Sequence, residues 1–241
     1  MKRTSYTWCV LVPSSLALVL SACSSQLTGA DAASRPDAAP CGPEAKIEDG
    51  EDNNNQTMVQ DGRSGYWYTY VDTEGSTVTP TAGAQGGVFQ PSPGGANGSQ
   101  YAMRFHGDIS NANIVFSGMG MNFVDPKGPY DASKYKGVSF WAKKAPGTTP
   151  NVRVKFPDVN TDPDGGVCSA CYNDHGRVIK LTDEWTQYFL AFDSLSQERG
   201  WGSPKTGSLD ATQVYAIQFQ VNDKGQKYDI WVDDIAFTGC Q

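Results

Sequence analysis

The sequence predicts an all-β fold, an antiparallel β-sandwich, and three observations carry that expectation. Short segments alternate apolar and polar residues with period two. Gly, Pro, Asn and Asp punctuate the gaps between them. Long helical periodicity is absent. Many strands joined by such turns, with no helices between, pack as antiparallel sheets face to face.

The chain opens with Lys2 and Arg3, followed by an apolar run from Trp8 to Leu20 that only Pro13 and two serines interrupt. That run is short for a membrane span and right for the core of a signal peptide, expected over residues 1–22. It ends in Leu20-Ser21-Ala22-Cys23, which looks like a bacterial lipobox with Cys23 as the lipidated thiol. Residues 23–44 are then expected to be a lipid-anchored flexible tether, because Ser24 to Pro40 is rich in Ala, Ser, Asp and Pro and buries too little apolar surface to fold alone. The expected address is exported and lipid-anchored to the cell envelope, at the outer membrane or cell surface, with the lipid as the only membrane contact.

Residues 45–241 form the expected β domain. Tyr101–His106 places Tyr, Met and Phe on one face and Arg104 and His106 on the other. Val152–Phe156 turns Arg153 and Lys155 away from its valines and phenylalanine. Ala216–Val221 opposes Gln218 and Gln220 to Ile, Phe and Val. Further strands are expected at Tyr66–Val71, Ile114–Met119, Gly137–Lys143, Thr186–Phe192 and Asp229–Phe237. First and last strands of a sandwich often lie side by side. Here both carry acidic ends, Ile47-Glu48-Asp49-Gly50 and Trp231-Val232-Asp233-Asp234. Carboxylates at two such ends could share a hard cation such as calcium, which favours oxygen donors.

Four cysteines remain beyond the signal segment and Cys23: Cys41, Cys168, Cys171 and Cys240. An even number in an exported chain suggests two disulfides, and three pairings are open. Cys41 and Cys240 flank the domain just outside the acidic strands, which favours joining them and leaves Cys168 with Cys171. A redox CxxC lacks its βαβ context here, and a zinc site lacks a second close pair.

Charge and composition exclude other classes. The net charge of −7 becomes −9 once Lys2 and Arg3 leave with the signal segment. No basic run offsets it, which argues against nucleic acid and anionic lipid. The two histidines, His106 and His175, do not suit a histidine-rich catalytic metal site. No nucleophile-elbow motif is present. Asp158, Asp174 and Asp193 could serve a glycan-cleaving enzyme, but nothing in the sequence fixes their spacing.

The polar faces are rich in planar donors. If their strands share one sheet, Arg104, His106, Arg153, Lys155, Gln218 and Gln220 form one surface. Trp67, Tyr68, Tyr172 and Trp201 are candidate aromatics beside it. The loop from Asp158 to Gly166 is dense in oxygen ligands and leads into Cys168-Ser169-Ala170-Cys171-Tyr172-Asn173-Asp174. A bridge there would stiffen the loop that presents Tyr172, Asn173 and Asp174. Solvated polar faces are the ordinary alternative.

These residues resemble a known pattern. Ile47-Glu48-Asp49-Gly50 is similar to the opening of several carbohydrate-binding modules, with Ile47 replacing the usual aromatic. The run from Tyr130 to Lys143 looks like their central strand. Trp185–Phe189, Gln197, Gly200–Gly202 and Ile230–Phe237 continue the order. The resemblance covers roughly residues 45–238 and is to the family 11 carbohydrate-binding modules, within the galactose-binding-like jelly rolls. The complex I intermediate-associated proteins share much of the strand signature, but the lipobox argues against that respiratory role. The resemblance implies structural calcium, with Glu48 and Asp234 at the positions of its ligands, and a β-glucan groove on a concave sheet face. The expectation is a monomeric, non-catalytic lipoprotein that holds a polysaccharide or oligosaccharide. The alternatives are an envelope structural or adhesive protein that binds another protein, or a glycan-cleaving enzyme.

Overall fold

A computed structural model describes residues 41–83 and 89–240. The expected signal peptide, the tether up to residue 40 and Cys23 lie outside the described residues. Among the described residues the strands are β1 (Lys46–Glu48), β2 (Trp67–Val71), β3 (Ser92–Pro93), β4 (Tyr101–Asp108), β5 (Ser117–Asn122), β6 (Gly137–Lys144), β7 (Asn151–Phe156), β8 (His175–Lys180), β9 (Thr186–Ala191), β10 (Ala216–Val221) and β11 (Lys227–Thr238). They form two antiparallel sheets. One has the order β3-β4-β11-β6-β9, with β1 also paired to β11, and the other has the order β2-β5-β10-β7-β8.

Period-two alternation decides which side chains meet between the sheets. Met103, Phe105, Phe140, Ile230 and Val232 point inward from the first sheet. Met119, Met121, Val152, Val154, Ile217 and Phe219 point inward from the second, all within one buried cluster. Phe140 meets Phe219 edge to face, with ring centroids 5.2 Å apart.

The long β11 holds the first sheet together. Its first half pairs with β4, from Lys227↔Asp108 to Val232↔Met103. After an irregularity between Asp233 and Ala236, it pairs with β1 at Glu48↔Ile235 and Lys46↔Ala236. The first and last strands are therefore neighbours, as the acidic ends suggest. Cys41 and Cys240 are bridged across the same edge, with Cα atoms 5.5 Å apart, and Cys168 is bridged to Cys171.

One strand is displaced from its expected place. β5 begins at Ser117 rather than Ile114, and Ile114 is 75% exposed. Ser-Gly-Met-Gly-Met-Asn lacks the β-branched residues that mark strands. Its glycines are what the neighbouring strand requires.

Candidate functional site

A groove of about 1080 Å³ runs over the outer face of the β2-β5-β10-β7-β8 sheet. Cross-strand register builds its floor as two rows. One row is Tyr70–Gly118–Gln220–Arg153, and the next is Tyr68–Gly120–Gln218–Lys155. Both glycines give their space to the tyrosine rings. A Cβ on Gly118 would stand 2.4 Å from Tyr70 Cζ, and one on Gly120 would stand 2.7 Å from Tyr68 Cζ. The rings therefore lie along the sheet instead of standing up from it. Gln218 Nε2 donates to the Tyr68 hydroxyl at 2.6 Å, and the Tyr70 hydroxyl donates to Gln220 Oε1 at 3.5 Å. Burial raises the pKa of both phenols, so they stay protonated donors at neutral pH.

The cationic ends of the rows are fixed. Lys155 Nζ is 2.9 Å from Asp174 Oδ2 and 5.9 Å from the Tyr70 ring centroid. Arg153 Nη2 donates to the carbonyl oxygens of Asp174 at 3.0 Å and Ser196 at 2.8 Å.

One wall comes from two tied loops. Cys171, Tyr172 and Asn173 stand beside Glu198 and Trp201. Asn173 Nδ2 donates to the carbonyl oxygens of Glu198 at 2.9 Å and Trp201 at 2.5 Å, while Asn173 Oδ1 accepts from Glu198 N at 2.8 Å. Tyr172 and Trp201 are 64% and 46% exposed, so each has free ring surface at the rim. The Cys168–Cys171 bridge closes the turn that presents Tyr172. Asn122, Lys127, Asp162, Asn222 and Lys224 add polar and charged groups to the lining. The Asn122 Oδ1 is a buried acceptor without a partner among the described residues, which suits a hydroxyl donor from a ligand.

Of the candidate residues, Tyr68, Arg153, Lys155, Tyr172, Asn173, Trp201, Gln218 and Gln220 line this groove. The others are placed elsewhere. Trp67 is fully buried and stacks on Phe89. It precedes Tyr68 in one strand, and neighbours in a strand face opposite ways, so the two cannot share a surface. Arg104 and His106 lie on β4, in the other sheet. Arg104 pairs there with Asp229 at 2.7 Å and covers the Trp231 ring. Alternation assigned their face correctly but could not assign their sheet.

Asp158 is fully buried. Its carboxylate accepts from Asn160 N, Thr161 Oγ1 and Asp210 N, which makes it a loop fastener. Asp174 lies beneath the floor as the partner of Lys155. Tyr70, Asn122 and Lys127 were missed. Tyr70 follows Tyr68 by two positions, so the same alternation signals it.

The two expected calcium ligands, Glu48 and Asp234, differ in their surroundings. Asp234 Oδ1 is ion-paired with Lys46 Nζ at 3.6 Å. Two buried carboxylates near it have no ammonium or guanidinium partner among the described residues. Glu48 Oε1 accepts from Asp49 N and Gly50 N, and Oε2 accepts from Trp67 Nε1 at 3.3 Å. Asp233 accepts from Ala96 N and Asp234 N, both at 2.7 Å. Burial pushes Glu48 up to about 8 and Asp233 up to about 6. Buried carboxylates without a cationic partner are the oxygen donors a hard cation favours, which adds Asp233 to Glu48 and Asp234 as a residue that could hold calcium. Among the described residues, no group of three or more His, Cys, Asp or Glu side chains could hold a metal. Main-chain carbonyls would have to complete any shell.

The fold and groove define a two-sheet β-sandwich of the kind seen in carbohydrate-binding modules. No family model and no curated protein matches the sequence. The structure is similar to the family 11 carbohydrate-binding module of the cellulosomal cellulase Lic26A-Cel5E of Clostridium thermocellum. The TM-score is 0.55 at 17% identity, covering 81% of this chain and 94% of that one. It is also similar to a family 11 module from Clostridium thermocellum in complex with a β-1,3-1,4-mixed-linked tetrasaccharide, with a TM-score of 0.51 at 18% identity, covering 72% of this chain and 89% of that one. A solution structure of CtCBM11 matches with a TM-score of 0.54 at 16% identity, covering 84% of this chain and 99% of that one.

Proposed function

We propose that this protein is a non-catalytic glycan-binding lipoprotein, anchored to the envelope through Cys23, that holds a β-glucan-like polysaccharide in the groove. The observation that carries the reading is the floor, where Tyr68 and Tyr70 lie over Gly120 and Gly118 with Gln218 and Gln220 at their hydroxyls. Sugars present apolar ring faces and dense hydroxyls. A flat aromatic bordered by amides meets both needs. Tyr172 and Trp201 add exposed rings at the rim. The likeness to modules that bear the carbohydrate-binding name supports the same reading. Within it, calcium beside Glu48 and Asp233 is structural and holds the β1–β11 edge.

Affinity electrophoresis against mixed-linkage β-glucan, xylan, mannan and pectin tests the ligand. Retardation by one polymer, lost in a Tyr68→Ala, Tyr70→Ala double variant that remains folded, is the expected result. Unretarded migration of the folded protein through every gel overturns the reading and leaves a protein partner as the alternative.

A further inference from the structure

The groove does not share the charge of the chain. The protein carries −7, yet Lys127, Arg153, Lys155 and Lys224 line the groove against Asp162 and Glu198 alone. Two of these cations are already neutralised. Lys127 pairs with Asp162 at 2.7 Å and Asp164 at 3.0 Å, and Lys155 pairs with Asp174. Lys224 has no ion pair among the described residues.

Arg153 is the informative case. It is only 9% exposed, and among the described residues the acceptors of its guanidinium are two main-chain carbonyls. Burial lowers its pKa, and Glu198 and Asp174 only partly oppose this from beyond ion-pair distance. A desolvated cation with neutral acceptors still has an electrostatic demand that hydroxyls meet poorly. The register sets Arg153 beside Gln220 and, across Gly118, opposite Tyr70. A glycan chain laid along that row, about three strand spacings from Tyr70 to Arg153, would bring one of its sugars to that guanidinium.

We infer that the groove selects an acidic glycan, with a uronate carboxylate on the ligand seated at the Arg153 guanidinium. Planar carboxylates match the guanidinium fork, and hydrogen bonds between charged groups are about twice as strong as neutral ones. The inference rests on the glycan-binding reading above and names the class of glycan within it.

The test compares mixed-linkage β-glucan with the same polymer partly oxidised at C6 to glucuronate, by isothermal titration calorimetry on the whole protein. The oxidised polymer is expected to bind about tenfold more tightly per site at low salt. That preference should weaken in about 0.5 M salt without vanishing, because a largely buried charge pair is screened less than an exposed one. In Arg153→Gln the ratio between the polymers should fall close to one. Should that variant fail to fold, the salt dependence of the wild-type ratio decides the question. Equal binding of both polymers overturns the acid assignment and leaves glycan binding standing. Binding of neither by folded protein overturns both. A sulfated glucan preferred over the oxidised one overturns the carboxylate in favour of another anion.

Discussion

Gln218 Nε2 and the Tyr68 hydroxyl are 2.6 Å apart, and that hydrogen bond joins two non-adjacent strands across a glycine. β5 lies between β2 and β10, and Gly120 is the residue of β5 that stands between the pair. The bond forms because nothing rises from Gly120 to part the two side chains. The floor of the groove is therefore specified by three residue identities acting together.

Gly120→Ala tests that dependence. Its Cβ would fall 2.7 Å from Tyr68 Cζ and 2.9 Å from Gln218 Cγ, so the ring must lift. The variant is expected to lose about 1–3 kcal/mol of stability, the usual cost of overpacking. Its glycan affinity should fall about tenfold or more, since a displaced platform loses its stacking geometry. Denaturant titration and calorimetry read the two effects separately. A variant that binds as the wild type does would show that Tyr68 is not a ligand platform.

Much of this was legible in the chain. Alternation in Val152–Phe156 and Ala216–Val221 placed Arg153, Lys155, Gln218 and Gln220 on an outward face, and they do meet in the groove. Alternation repeats identically in every half-buried strand, so it could not say that β4 belongs to the opposite sheet. That assignment depends on the long-range pairing of β4 with β11. The same limit hid Gly118 and Gly120. A glycine in a strand signals close approach but does not name what approaches.

Cys41 and Cys240 are separated by 199 positions, so their bridge restricts nearly the whole unfolded domain. Replacing both by serine is expected to cost about 2–5 kcal/mol. Each kcal/mol lowers the Tm by roughly 2–4 °C in a domain of this size. The groove lies on the other sheet, so glycan affinity at a temperature where the variant is folded should stay near the wild-type value. Differential scanning calorimetry and a binding isotherm at 15 °C check both parts. Unchanged Tm would mean that pairing of β1 with β11 holds the edge without the bridge.

Glu48 gives stability a pH dependence of definite sign. Burial raises its carboxyl from 4.5 to about 8 in the folded protein. A raised folded-state value means that its contribution is fully present below pH 4.5 and is lost as pH rises to about 8. Asp233 acts in the same direction between 3.8 and about 6. The metal-free protein should therefore lose Tm from pH 5 to pH 8, and Glu48→Gln should flatten that decline. Calcium beside these carboxylates should raise the wild-type Tm more at pH 8 than at pH 5, with a smaller gain in Glu48→Gln. Thermal scans in chelator and in calcium measure it. A calcium response identical in the variant would place the cation elsewhere or nowhere.

Asp61 works in the opposite sense. It accepts from Tyr130 Oη at 2.6 Å, Tyr135 Oη at 2.9 Å and Lys134 Nζ at 2.7 Å, with Arg63 Nη1 at 3.3 Å. Burial pulls its carboxyl upward, but the hydrogen bonds from Lys134, Tyr130 and Tyr135 outweigh it and hold the group at about 2. A lowered folded-state value means stability that is present above 3.8 and lost as pH falls to about 2. The shift corresponds to roughly 2 kcal/mol. Asp61→Asn should lose about that much at pH 7 and show a shallower acid transition, because the charge that anchors Lys134 and the wholly buried Arg63 side chain is gone. Urea titrations of both proteins at pH 7 and pH 3 measure the coupling. An Asp61→Asn loss of the same size at both pH values would show that geometry, not charge, is what Asp61 supplies.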